Sequence, residues 1–128
     1  MGNGKDIHLV DIGETSCLVL GEILNEKKIV NVIAVDERTT RLLCEKPEIL
    51  KKIMESKLHM RLKVNEENLK FFKGFKLIRS SELIYVAYKK DFVDIKDGAI
   101  VLDALLWALK FKGCSISSDE INEIKRLR

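Results

Sequence analysis

Ile29-Val30-Asn31-Val32-Ile33-Ala34-Val35, closed by the acids Asp36 and Glu37, is the stretch on which the fold turns. It is β-branched and almost continuously apolar, which suits a parallel strand covered on both faces better than a half-exposed one. Just upstream, Asp11-Ile12-Gly13-Glu14 reads as a helix start, with Asp11 as N-cap and Glu14 three residues on, as in a capping box. Cys17, Leu18, Leu20, Ile23 and Leu24 then make one broad apolar face. The helix ends near Asn25 to Lys28, where lysines suit its negative end. A helix from Glu14 to Asn25 is about 18 Å long at ~1.5 Å per residue. The strand is about 23 Å long at ~3.3 Å per residue. A short turn between them makes the two antiparallel. Glu14 is thereby set beside Asp36 at the carboxyl edge of the sheet, where open α/β folds keep their sites. Paired carboxylates there call for a cation, a proton or a basic partner. Hard oxygen donors of this kind suit magnesium or manganese. Each acid also stands at a helix N-terminus, where negative charge is favourable in any case, so capping and metal binding are both open readings.

Outward from this core, helix and strand signals alternate. Asp6 to Val10 is a candidate short strand. Asp36 can cap a helix running through Cys44, and Pro47 opens another at its first turn. Leu58, Met60, Leu62 and Val64 alternate, as in a surface strand or extended arm. Asn65 caps a short helix to Phe72, stopped by Gly74. Phe75 to Ile78 reads as a second short buried strand, followed by a helix from about Ser81 to Lys90. Asp97 to Phe111 is helical and apolar nearly all round, which makes it deep core or interface, and Trp107 lies on it. Gly113 ends that helix. Ser117 with Glu120 forms a capping box for the last one. This alternation predicts an α/β class with a parallel sheet.

The totals narrow the function classes. A chain of 128 residues is enough for one domain with a real core. A formal net charge of +3 permits contact with nucleic acid without requiring it. Lys51, Lys52, Lys57, Arg61, Lys63, Lys70, Lys73 and Lys76 crowd one segment, interleaved with Met60, Phe71 and Phe72. Such a segment can track a phosphate backbone, or be a solvated face diluted by Glu55, Glu66 and Glu67. Arg79, Ser80 and Ser81, at a strand-to-helix junction, offer either a phosphate perch or a plain N-cap. Cys17, Cys44 and Cys114 lack a metal or disulfide spacing and read as buried reduced thiols of a cytoplasmic protein. His8 and His59 stand alone. The longest apolar run, Ala99 to Leu109, is broken by Asp103 and too short to span a bilayer. No signal peptide is visible, and a soluble protein without membrane contact is expected.

Order and spacing carry a resemblance. Gly13-Glu14-Thr15-Ser16-Cys17-Leu18-Val19-Leu20, then Val32 to Val35 with Asp36-Glu37-Arg38-Thr39-Thr40-Arg41, is similar to a PIN-like pattern. In that pattern a Gly-Glu opens a helix, and an apolar strand ends in an acidic pair followed by an arginine. Phe75 to Ala87 resembles the family's next strand and helix. Leu102 to Lys110, then Gly113 to Ser117 with Glu120-Ile121, resembles its final helix pair. PIN-like domains are metal-dependent ribonucleases, in which three or four acids hold one or two divalent ions that activate water against a phosphodiester. The resemblance implies a three-layer parallel sheet with flanking helices. It assigns Glu14 and Asp36 as ligands of Mg2+ or Mn2+, with Glu37 the neighbouring candidate in an ambiguous register. Arg41, one helical turn beyond Glu37, would pair with the cluster or meet a phosphate; Arg79, Ser80 and Lys63, from the residues themselves, are the further candidates for contact with RNA.

The family's first aspartate precedes the Gly-Glu segment on an early strand, followed by a further acid on a helix. Only about a dozen residues precede Glu14, and Asp6 and Asp11 do not match that motif. Residues 1–128 are therefore expected to be a single partial PIN-like domain lacking its N-terminal strands, with 45–74 a subfamily insertion. Such a chain would be an excised piece or a natural remnant, inactive as a nuclease. The alternative is a non-catalytic module that binds nucleic acid or protein. A sheet without its early strands exposes the Ile29 to Val35 edge, and with the all-round apolar helix this predicts a homodimer, unless Asp6 to Val10 folds back to fill the edge.

Overall fold

The computed structural model describes residues 8–94 and 98–127. Its regular elements are α1 (Ile12–Glu26), β1 (Ile33–Ala34), α2 (Arg38–Glu45), α3 (Pro47–Leu58), α4 (Glu66–Phe71), β2 (Leu77–Ile78), α5 (Ser80–Lys89), α6 (Gly98–Phe111) and α7 (Ser118–Arg126). The expected three-layer α/β sheet does not form. Among the described residues the chain is mostly helical, and its only sheet pairs β1 with β2 in parallel. The Ile33 amide donates to the Lys76 carbonyl at 2.9 Å. No described helix is long and apolar enough to cross a membrane.

The strand expected over Ile29 to Val35 shrinks to two residues for a local reason. The Lys28 amide donates to Asn25 O and the Ile29 amide to Leu24 O, both at 2.9 Å, while Lys28 sits at φ +57°. This left-handed cap takes the chain as far as Ile29 to satisfy α1's last carbonyls. Beyond it, Val30 is 88% exposed and only Ile33 and Val35 are buried. Phe75 to Ile78 likewise contributes only Leu77 and Ile78. Two strands cannot cover a seven-residue apolar segment on both faces and both edges, so the rest stays open.

The chain divides into two compact units, Met1–Leu77 and Ile78–Arg128. In the first, α1 packs on β1 and α2 on α3. Its core gathers Leu18, Ile33 and Val35, with Cys44, Phe72, Phe75 and Leu77 against them. A Cβ on Gly21 would come within 2.7 Å of Ile33 Cδ1, so the absent side chain lets α1 lie directly on the strand. The segment 45–74 forms α3, α4 and an extended arm between them. The arm carries no strand; Glu55 Oε1 accepts from the Leu62 amide at 2.9 Å and ties it to α3. Of the candidate strand at Asp6 to Val10, His8 to Val10 are not in a strand, and Asp6 and Ile7 lie outside the described residues.

In the second unit α6 packs against both α5 and α7. Leu102, Leu106, Cys114, Ile116 and Ile121 form the core, with Ile84, Tyr85, Tyr88 and Trp107 packed on it. Gly113, at φ +100°, ends α6 as expected. The Ser117–Glu120 capping box forms in both directions, at 3.1 and 2.8 Å. Tyr85 Oη donates to Leu127 O at 2.8 Å, and Lys125 pairs with Asp103 at 2.7 Å, so α7 is tied to both neighbours. The helix start placed at Asp97 lies outside the described residues.

Candidate functional site

The site expected from sequence begins on α1. Residues 14, 18 and 21 follow at i, i+4 and i+7 and share one helix face. Leu18 and Gly21 are buried on it. Gly21 meets Ile33, and Leu18, one turn earlier, shares a core with Ile33 and Val35. Glu14 lies about 10 Å back from Gly21 along the helix. Asp36 lies about 10 Å beyond Ile33 along an extended chain. Both acids are half-buried.

The second acid of the pair is used differently. Glu37, not Asp36, caps α2. Its carboxylate accepts from the Thr39 amide at 2.7 Å, the Thr40 amide at 2.6 Å and Thr40 Oγ1 at 2.9 Å. Burial pushes its carboxyl up, but the amide bonds from Thr40 and Thr39 outweigh this and hold it below its ordinary value of 4.5. Both Glu37 oxygens are therefore engaged by the helix they start. At the head of α1, Asp11 occupies the N-cap position but makes no side-chain cap bond.

Arg41 sits in α2, half-buried, and its Nε is buried with no hydrogen-bond partner among the described residues. Lys63 is exposed on the extended arm. Arg79, the N-cap of α5, has a side chain only 16% exposed. Its Nη1 donates to Glu120 Oε1 at 2.9 Å, and its Nε lies 3.6 Å from Glu82. Burial works against the guanidinium's charge, but the bond and charge of Glu120 more than compensate and raise its pKa. Glu120 moves reciprocally: burial raises it, but the Ser117 amide and Arg79 bring it below 4.5. A phosphate at Arg79 would have to displace a carboxylate. Ser80 is the first residue of α5, not its cap. The Arg79–Glu120 pair could not be anticipated: Glu120's capping role is local, but its partner lies 41 residues away.

Two carboxylates with hard oxygens fit a magnesium- or manganese-type donor set, which retains several waters and needs only one or two protein acids. Among the described residues no group of three or more His, Cys, Asp or Glu gathers to hold a metal. Cys17 is exposed, against the expectation of burial, while Cys114 is buried. Burial and then the charge of Glu45 raise the Cys44 thiol to about 11, so it stays protonated at neutral pH. No family model, curated protein or solved structure matches this chain.

Proposed function

We propose that this chain carries part of a divalent-metal-dependent, PIN-type ribonuclease site, built on Glu14 and Asp36, and is inactive by itself. What supports this is the packing of α1 on β1, with Glu14 on the Leu18–Gly21 face of α1 and Asp36 following β1 in the chain. The proposal rests on that local pair and not on a three-layer sheet, which the chain does not form. Glu37 is left out because its oxygens are taken by Thr39 and Thr40. Arg41, half-buried in α2 one helical turn beyond Glu37, is the residue proposed to meet a phosphate of RNA. A bound Mg2+ or Mn2+ would supply an acidified water and charge neutralisation. The residues here would hold the ion and orient the phosphate. Manganese binding, followed by the loss of the free-ion resonance signal, tests the site without requiring turnover. Weak binding is expected, abolished by Glu14→Gln or Asp36→Asn and retained by Glu37→Gln. Binding equal in all three variants removes the assignment. RNA cleavage by the chain alone that Glu14→Gln abolishes would show the site to be complete.

A second reading is favoured by the exposed basic segment: a non-catalytic module that binds single-stranded RNA and pairs with itself. Lys52, Lys57, Arg61, Lys63, Lys70, Lys73 and Lys76 are all exposed. Binding through them would weaken steeply with salt, as counterions are released from neutralised phosphates. Titration of a labelled RNA at two salt concentrations reads this directly, and no binding at low salt excludes it. Self-pairing is supported by the apolar side chains left open, among them Ile12 at 87% and Val30 at 88% exposure. The free thiols suit a reducing, cytoplasmic compartment.

A further inference from the structure

Residues 51–76 carry eight Lys and Arg against three Glu, a net +5 in a chain whose total is +3, so all the residues outside them sum to −2. The positive charge of the protein is therefore concentrated in this one segment. At its end Lys70, Phe71, Lys73 and Lys76 are all exposed, an aromatic ring among lysines. We propose that Phe71 is a stacking platform for an unpaired nucleobase and that Lys70, Lys73 and Lys76 hold the neighbouring phosphates. Such a platform deepens the RNA-binding reading above and rests on it, adding which residue meets a base and why the strand must be single.

Phe71 ends α4, and its ring centroid lies 5.3 Å from that of Phe72 and 5.8 Å from that of Phe75. Phe72 and Phe75 pack against the core of Leu18, Ile33 and Val35. The Lys76 carbonyl accepts from the Ile33 amide at 2.9 Å, which ties the end of the segment to β1. Phe71 is thus supported by the core of its unit, yet remains 39% exposed. The two neighbouring rings stand at 84° and 66° to it, so neither takes the stacked position. A nucleobase stacks flat, and every base has such a face. Among the described residues none of the three lysines is in an ion pair. The acids of α4, Glu66 and Glu67, stand in its first turn, and Lys70 in its last. Cations around one supported ring match what a single strand presents, a base with phosphates beside it. A duplex offers the phosphates but keeps its bases stacked on one another. A lipid surface would suit the lysines, but it calls for a broad apolar face rather than one ring.

Fluorescence anisotropy tests this with a labelled single-stranded RNA of about 12 nucleotides and the same RNA annealed to its complement. Inorganic polyphosphate, a chain of phosphates without bases, serves as competitor. The single strand should bind at least about fivefold tighter than the duplex, the least that stacking one base contributes. Phe71→Leu should remove that preference and leave polyphosphate binding unchanged, while Phe71→Tyr, which keeps the ring, retains it. Circular dichroism checks that the variants keep their helices. If Phe71→Leu does not, the unaltered chain carries the test, since a purely electrostatic site takes the denser charge of a duplex at least as well. No binding of either form at low salt removes the RNA-binding reading and this inference together. Salt-dependent binding that is equal for both forms and indifferent to Phe71→Leu leaves that reading and overturns the platform alone. Tighter capture by phosphatidylserine vesicles, retained in Phe71→Leu, would also overturn it, because leucine inserts among acyl chains as readily as phenylalanine.

Discussion

Glu37 shows how one side chain can settle a question that spacing leaves open. Asp36 and Glu37 are adjacent acids after an apolar run, and either could begin the helix that follows. The structure gives the capping to Glu37, whose two oxygens together receive three hydrogen bonds from Thr39 and Thr40. Loss of a helix cap costs about 1 kcal/mol, so Glu37→Ala should lower the unfolding free energy by roughly that amount at neutral pH. The pH dependence follows from the sign of the shift. A carboxyl held below 4.5 in the folded chain contributes stability above its unfolded value, and that contribution is lost as pH falls through the lower folded value. The gap between wild type and Glu37→Ala in urea denaturation should therefore close on acidification below about 4.5. A gap that is unchanged in acid would mean that the carboxylate's charge plays no part in the cap.

At the scale of the element, three helices end in the same way with three different residues. After α1, α5 and α6 the chain turns through Lys28, Asp91 and Gly113, each at positive φ. In each case the next amide reaches back to the fifth residue before it: Ile29 to Leu24, Phe92 to Ala87 and Cys114 to Leu109, at 2.9, 2.9 and 3.0 Å. Only Gly113 announces itself in the sequence, because glycine alone takes this conformation without steric cost. Lys28 and Asp91 adopt it against a penalty of about 1 kcal/mol, because the orphan carbonyls of the helix end must be satisfied. Lys28→Gly should accordingly raise stability by roughly 0.5–1 kcal/mol, part of the relief being offset by the greater freedom of glycine in the unfolded chain. Chemical denaturation of the single variant measures it. A loss of stability would show that the lysine side chain contributes more than its backbone strain costs. The same cap explains why the apolar run after α1 yields so short a strand.

Across the whole molecule, two cores lie in two units, one around Leu18 and Ile33, the other around Leu102, Leu106 and Ile121. Leu106 is fully buried, so Leu106→Ala should cost about 2–5 kcal/mol. Amide exchange should rise in α5, α6 and α7 well before it does in α1 and β1, since sub-global opening follows cooperative units. Equal acceleration in both units would make them a single cooperative body. The features determined by the sequence alone are those closed within a few residues. The Asn65 cap, Pro47 at a first turn, the Ser117–Glu120 box, the Gly113 stop and the all-round apolarity of α6 all belong here. What tertiary structure decided is whatever depends on a distant partner. Ile29 to Val35 has every residue a strand requires, yet a strand extends only as far as a neighbouring chain pairs with its amides, and β2 offers two residues. Arg79 reads as an open phosphate perch until Glu120 arrives from another helix to occupy it. Local propensity is written in neighbouring side chains, but ladder pairing and ion pairing are long-range free energies, and no window of sequence contains both partners.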